Sequence, residues 1–178
     1  MKKIITAAIF ALLALPTLAS ATDIKPYAGV GLGGYTFKGA GTSFGGFGQF
    51  GADIGDYFGA ELRLGTSSTT SYTSGGVNFD LNVDYGFSYL GKLQAPISES
   101  VHAYALLGGT TAQVTNKIKT PGLVFASSGT NTLVTKKNSF TFGGGLDFKI
   151  QDSLSIGAEY MRYYKDVSGF SANLKFLF

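Results

Sequence analysis

The sequence predicts an all-β fold: an eight-stranded antiparallel up-and-down transmembrane β-barrel, preceded by a cleaved signal peptide. Three observations carry that expectation. The N-terminus is built like an export signal, the remainder alternates apolar and polar residues with period two, and the composition is wrong for a domain surrounded by water.

Lys2 and Lys3 form a short basic segment, Ile4 to Leu15 an apolar run broken by Pro16, and Ala19-Ser20-Ala21 a small-x-small cleavage pattern. The run is shorter than the roughly 20 apolar residues with which a helix crosses a bilayer. Cleavage is expected between Ala21 and Thr22, dividing the chain into a signal peptide, 1–21, and one barrel domain, 22–178. Two lysines leave with the peptide, so the formal charge of +3 falls to about +1. That removes the main support for a nucleic-acid partner. With no cysteine there is neither a disulfide framework nor a lipid-anchored thiol.

The chain holds 26 Gly, 15 Phe and 10 Tyr but no Trp, and only 14% of its residues are charged. Soluble domains carry roughly 25% charge. A surface facing lipid accounts for the deficit.

Eight stretches of alternation follow one another. The first, 27–37, is glycine-rich, with Val30 and Leu32 as its lipid-facing residues, and 45–54 follows it. In 57–67, Phe58, Ala60, Leu62 and Leu64 alternate with Gly59, Glu61, Arg63 and Gly65. In 77–94 the apolar set is Val77, Phe79, Leu81, Val83, Tyr85, Phe87 and Tyr89, with Asp80, Asn82, Asp84, Gly86 and Ser88 between. After 101–115, the stretch 137–150 sets Phe140, Phe142, Leu146, Phe148 and Ile150 against Thr141, Gly143, Gly145, Asp147 and Lys149. The stretches 153–164 and 169–178 repeat the pattern.

Successive strand residues point to opposite faces, so every stretch has one apolar and one polar face. Aromatic-rich apolar faces suit lipid, and faces of glycine with isolated charges suit a narrow lumen. Lipid tolerates no unpaired edge, so the strands must close. Connections alternate between tight turns (55–56, 96–100, 151–152) and longer loops (38–44, 67–76, 116–136). That places both termini at the periplasmic end.

The motifs Tyr27-Ala-Gly-Val-Gly-Leu-Gly, Gly59-Ala-Glu-Leu-Arg, Ala103-Tyr-Ala-Leu and Ala158-Glu-Tyr resemble those of small outer-membrane β-barrel proteins, the OmpX/Ail-like and opacity proteins among them. The resemblance covers the whole mature chain. It implies residence in a Gram-negative outer membrane after export through the periplasm. It also makes Phe176 and Phe178 the C-terminal signal read by the barrel-assembly machinery. Asn173 departs from that signal, which usually has glycine there.

The lumen is expected to hold Asp53, Glu61, Asp80, Asp84, Asp147 and Glu159 against Arg63, Lys92, Lys149 and Lys175. An eight-stranded barrel is filled by its own side chains, and isolated buried charges are costly, so these groups should pair. The third outer loop carries Lys117, Lys119, Lys136 and Lys137 with no acid among them, a candidate binding loop for an anionic host or envelope ligand. Its bland alternative is contact with lipopolysaccharide phosphates and the surrounding lipid.

Gly29-Val-Gly31-Leu-Gly33-Gly34 has the letters of a dinucleotide fingerprint but lacks the helix that motif must open, so no cofactor is expected. One histidine, His102, and no cysteine cannot build a dedicated zinc site. His102 also sits at the periplasmic end, away from an outer-leaflet substrate, so no catalytic residue is assigned. The leading expectation is a monomeric, non-enzymatic surface barrel with adhesive loops. A narrow ion or solute channel stands second, and a lipid-modifying enzyme third.

Overall fold

Alternating side chains reach two opposite faces only on extended backbone, and every patterned stretch is a strand. The computed structural model describes residues 23–127 and 129–178. The expected signal peptide and the Ala21–Thr22 junction lie outside them. The strands are β1 (Ile24–Phe37), β2 (Gly41–Ile54), β3 (Phe58–Ser67), β4 (Thr70–Ser74), β5 (Val77–Ser98), β6 (Val101–Ile118), β7 (Thr132–Gln151), β8 (Leu154–Tyr164) and β9 (Val167–Leu177).

All pairings are antiparallel, in the order β3-β2-β1-β9-β8-β7-β6-β5-β4, and β3 also pairs with β5. That last pairing, from Phe58↔Leu93 to Gly65↔Gly86, closes eight strands into a barrel and leaves β4 outside the ring. The first and last strands meet along Tyr27↔Leu177 to Phe37↔Val167. A closed ladder satisfies the membrane-embedded peptide groups, which lipid cannot do.

The side chains are inverted relative to a water-soluble sandwich. Val30, Leu32, Leu64, Phe142 and Phe170 are exposed on the outer wall, while Glu61, Arg63, Glu159 and Lys175 are buried within. Exposed aromatics cluster towards both ends of the strands: Phe44, Phe140 and Phe170 at one, Phe58, Phe148, Phe176 and Phe178 at the other. These are the positions of the two interfacial girdles.

Two features differ from the sequence expectation. The stretch 67–76 is not simply a loop: Thr70–Ser74 forms β4, returned onto β5 by Gly75 and Gly76, both with positive φ. Strands β5, β6 and β7 also run farther than predicted, with β7 starting at Thr132 rather than 137. The backbone ladder between β8 and β7 starts only at Phe142↔Arg162, and above it the contact is limited to side chains, the Tyr164 hydroxyl donating to Lys137 O at 2.9 Å. Together β4, β5, β6 and β7 form a sheet rising beyond the barrel.

The second difference is the facing of β5. Tyr85 pairs with Gln113 and Val83 with Val114, so Asp84 is an extra, bulged residue. Below it the even-numbered Ser88, Leu90 and Lys92 are buried in the lumen. Above it the parity reverses, and Val83 lines the lumen mouth together with Gly86 and Ser88. Asp80 and Asn82, opposite Lys117 and Thr115, are thereby carried to the outer wall. A period-two reading cannot register a bulge, because one extra residue exchanges the two faces.

Glycine on the polar faces makes room for large lumen side chains. A Cβ on Gly31 would collide with the Phe47 ring directly across the pair, and one on Gly51 with the Tyr27 ring. The glycines therefore serve packing of facing aromatics.

Candidate functional site: the lumen layer and the outer sheet

Seven of the charged residues assigned to the lumen from sequence do come together there. Arg63 is the centre of one group. Its Nε donates to Glu61 and its two terminal nitrogens to Glu159, the Nη2–Oε2 distance being 2.7 Å. The Tyr27 hydroxyl donates to Glu61 Oε2 at 2.6 Å, and Tyr104 to Glu159 Oε2 at 3.1 Å. The Arg63 guanidinium also lies 4.7 Å from the centre of the Phe47 ring.

The second group lies nearer the turns. Lys175 Nζ donates to both oxygens of Asp147, at 2.7 and 3.0 Å. Lys92 Nζ lies 3.0 Å from Asp53 Oδ1 and 3.8 Å from Asp147 Oδ2. The two lysines pack against the rings of Tyr27 and Tyr104, the shortest approach being Lys175 to Tyr104 at 4.5 Å. Bidentate pairing plus hydroxyl donors is what lets so many charges occupy a dry layer. Leu90, Leu106 and Met161 fill the space beside Tyr104.

This layer separates two hollows. On the turn side is a vestibule of about 330 Å³, lined by Lys25, Asp56, Gln94, Glu99, His102 and Lys149 among others. On the outer side is a smaller recess with a different, largely apolar lining.

Three residues assigned to the lumen layer are not in it. Asp80 stands on the outer sheet, bonded by Ser71 Oγ at 2.6 Å and paired with Lys119 at 3.0 Å. The Ser71 hydroxyl and then Lys119 hold its carboxyl below the usual carboxylate range. Asp84, at the bulge, accepts from Gln113 at 3.0 Å, Thr115 at 2.7 Å and Asn82 at 2.7 Å. Lys149 is exposed at the turn end, 2.8 Å from Asp152. Its strand parity is that of the lumen, but it lies past the end of the layer.

The four loop lysines lie mostly on strands. Lys117 is on β6 and Lys136 and Lys137 are on β7, while Lys119 begins the connection beyond Ile118. Lys117 and Lys136 share the outer face of the sheet with Gln113 and Thr115. The expectation that no acid accompanies them is corrected: the bulge brings Asp80 onto the same face, opposite Lys117. His102 faces Asp147 across β6 and β7 at the turn-side vestibule. Among the described residues no group of three or more His, Cys, Asp or Glu is placed to hold a metal.

Tyr27, Tyr104 and Phe47 were not assigned to the lumen from sequence, yet they organise the layer. Their signal was present: Tyr27 has the parity of Gly29, Gly31 and Gly33, the face expected to point inward.

Phe176 and Phe178 both lie on the lipid face, and the Phe178 amide closes the last rung on Pro26 O at 3.0 Å. Deleting Phe178 removes that rung and the end of the lower girdle. The expected result is a reduced yield of heat-modifiable barrel in the outer membrane with signal cleavage unchanged. Unaltered insertion in a pulse-chase assay would separate Phe178 from assembly.

A closed eight-stranded barrel with lipid-facing aromatics outside and paired charges within defines a small outer-membrane β-barrel protein. The family model for the outer membrane protein beta-barrel domain matches residues 5–176, and the chain belongs to that family. It is therefore an outer-membrane protein of the surface-barrel class.

Solved structures share the fold at low identity. A major outer membrane protein from Thermus thermophilus superposes with a TM-score of 0.59 at 13% identity, covering 88% of this chain and 100% of that one. Ail, the attachment invasion locus protein of Yersinia pestis, gives 0.52 at 17% identity, over 87% and 97%. Neisserial surface protein A gives 0.52 at 10% identity, over 87% and 97%. No curated protein sequence matches the chain.

Proposed function

We propose that this barrel is a non-enzymatic surface-attachment protein whose protruding sheet binds a polyanionic ligand. The observation that carries the reading is the sheet of β4 to β7, which rises past the barrel and bears Lys117, Lys119, Lys136 and Lys137. Asp80 offsets Lys119, so the cations open to a ligand on the outer face are Lys117 and Lys136, with Lys137 exposed on the opposite face of the sheet beside the mouth. Between Leu133 and Lys136, above the Tyr164 hydroxyl that bonds Lys137 O, β7 has no ladder partner in β8, an edge to which an extended segment could join. Lysines on that edge discourage pairing with uncharged strands and favour an acidic or sulfated partner. Ail, which has the same fold, was crystallised with the heparin analogue sucrose octasulfate.

The test replaces Lys117, Lys119, Lys136 and Lys137 together with Glu and measures adhesion of intact cells to immobilised heparin. Adhesion should be lost, and the loss in wild type should be reproduced by raising salt, because exposed charges are screened within about 10 Å at 0.1 M. Unchanged adhesion with normal surface display would overturn the reading.

A further inference from the structure

We propose that the outer mouth of the lumen is a binding site for a small neutral aromatic molecule. This site is independent of the polyanion surface. It is a recess of about 60 Å³ between the ion layer and the outer rim, walled by Tyr35, Phe47, Val83, Ala112 and Tyr163. Towards the outer rim the lumen face of β1, β2 and β8 carries rings rather than charges. Here the bulge at Asp84 turns Val83 inward, and the register shift between Arg162 and Tyr164 interrupts the β8–β9 ladder beside Tyr163. Val83 thereby joins Tyr35, Phe37, Phe47, Ala112 and Tyr163, which ordinary alternation already points into the lumen, so that apolar atoms dominate the wall of the recess between the hydroxyls of Ser67, Ser88 and Thr110.

The chemistry of the lining selects the ligand. Among the described residues Arg63 is the one charged side chain that lines the recess, and its charge is already paired with Glu61 and Glu159. A charged ligand would lose its hydration and find no free counter-ion, so the occupant is neutral. Aromatic rings contributed by β1, β2 and β8 stand around the space, with Tyr35 and Tyr163 tilted at 5.6 Å between centroids. Such walls favour a ring, held edge-to-face, over an alkyl chain. The recess is smaller than the roughly 150 Å³ that encloses benzene in an apolar core. It is bounded by Phe37, Ser67 and Val167, at the outer ends of their strands, and so opens outward. A ring enters by its apolar edge and leaves a polar substituent in water. The turn-side vestibule has the opposite character, since its wall is charged.

The experiment uses the mature barrel in phospholipid nanodiscs, which carry no detergent tails, with phenol as probe and ring-labelled Phe and Tyr followed by NMR. Saturable shifts confined to Tyr35, Phe47 and Tyr163 are expected, with lipid-facing Phe142 following only partition into the bilayer. Ala112→Leu, which fills the recess, should abolish the saturable component while the barrel stays heat-modifiable. Val83→Ser, which makes the lining polar, should weaken it and serves if Ala112→Leu does not fold. Shifts that never saturate, or that persist in a folded filled variant, overturn the site. Cyclohexanol binding as tightly as phenol overturns the aromatic assignment.

Discussion

Arg63→Ala is expected to lower the unfolding free energy of the barrel by about 3–5 kcal/mol, the usual consequence of removing one member of a buried ionic group. Glu61 and Glu159 are 2% and 1% exposed, and both direct their carboxylates at this guanidinium. Without it two anions share a buried space, supported by the Tyr27 and Tyr104 hydroxyls and the more distant charge of Lys175. Reversible urea unfolding in lipid vesicles would measure the loss. The control is the neutral triple variant Glu61→Gln, Arg63→Met, Glu159→Gln, which removes all three charges at similar volume. It should sit much closer to wild type, since replacing a complete buried ionic group is often near neutral. A cost below about 1 kcal/mol for Arg63→Ala, typical of exposed pairs, would mean that the layer is hydrated.

Gly31→Ala is expected to cost about 1–3 kcal/mol, the range for overfilling a packed interior. The added methyl would fall inside the Phe47 ring, and Phe47 is held between Gly31 and the Arg63 guanidinium. A double-mutant cycle isolates the cause. In a Phe47→Ala background the same substitution should be nearly free, because the atoms nearest the new Cβ all belong to that ring. Equal costs in both backgrounds would instead point to strain in the β1 backbone. At exposed Gly48, where a Cβ meets nothing within 4 Å, alanine should be tolerated.

The closed barrel and the meeting of Glu61, Arg63 and Glu159 were legible in the sequence for one reason. A strand sends alternate residues to opposite faces, so Leu62 and Leu64 cannot point outward without turning Glu61 and Arg63 inward. The pattern fixes the face on which a residue lies but not its height in the lumen. Lys149 has the correct parity and still stands at the exposed end, beside Asp152. Nor does the pattern reveal β4, whose Thr70–Ser74 stretch is almost uniformly polar and becomes a strand only because β5 extends far enough to receive it.

The class of this protein and its lipid-facing wall were thus determined by local alternation and composition. What the tertiary structure alone decided was everything governed by pairing across strands. The Asp84 bulge exists only relative to Gln113 and Val114 on the neighbouring strand, yet it reverses the facing of everything above it. That reversal sends Asp80 to the lysine-bearing outer face and Val83 into the mouth. One unpaired residue thus adds Val83 to the apolar wall of the recess and removes Asp80 and Asn82 from the lumen face. Its placement depends on the register between two strands, which neither strand's sequence contains by itself.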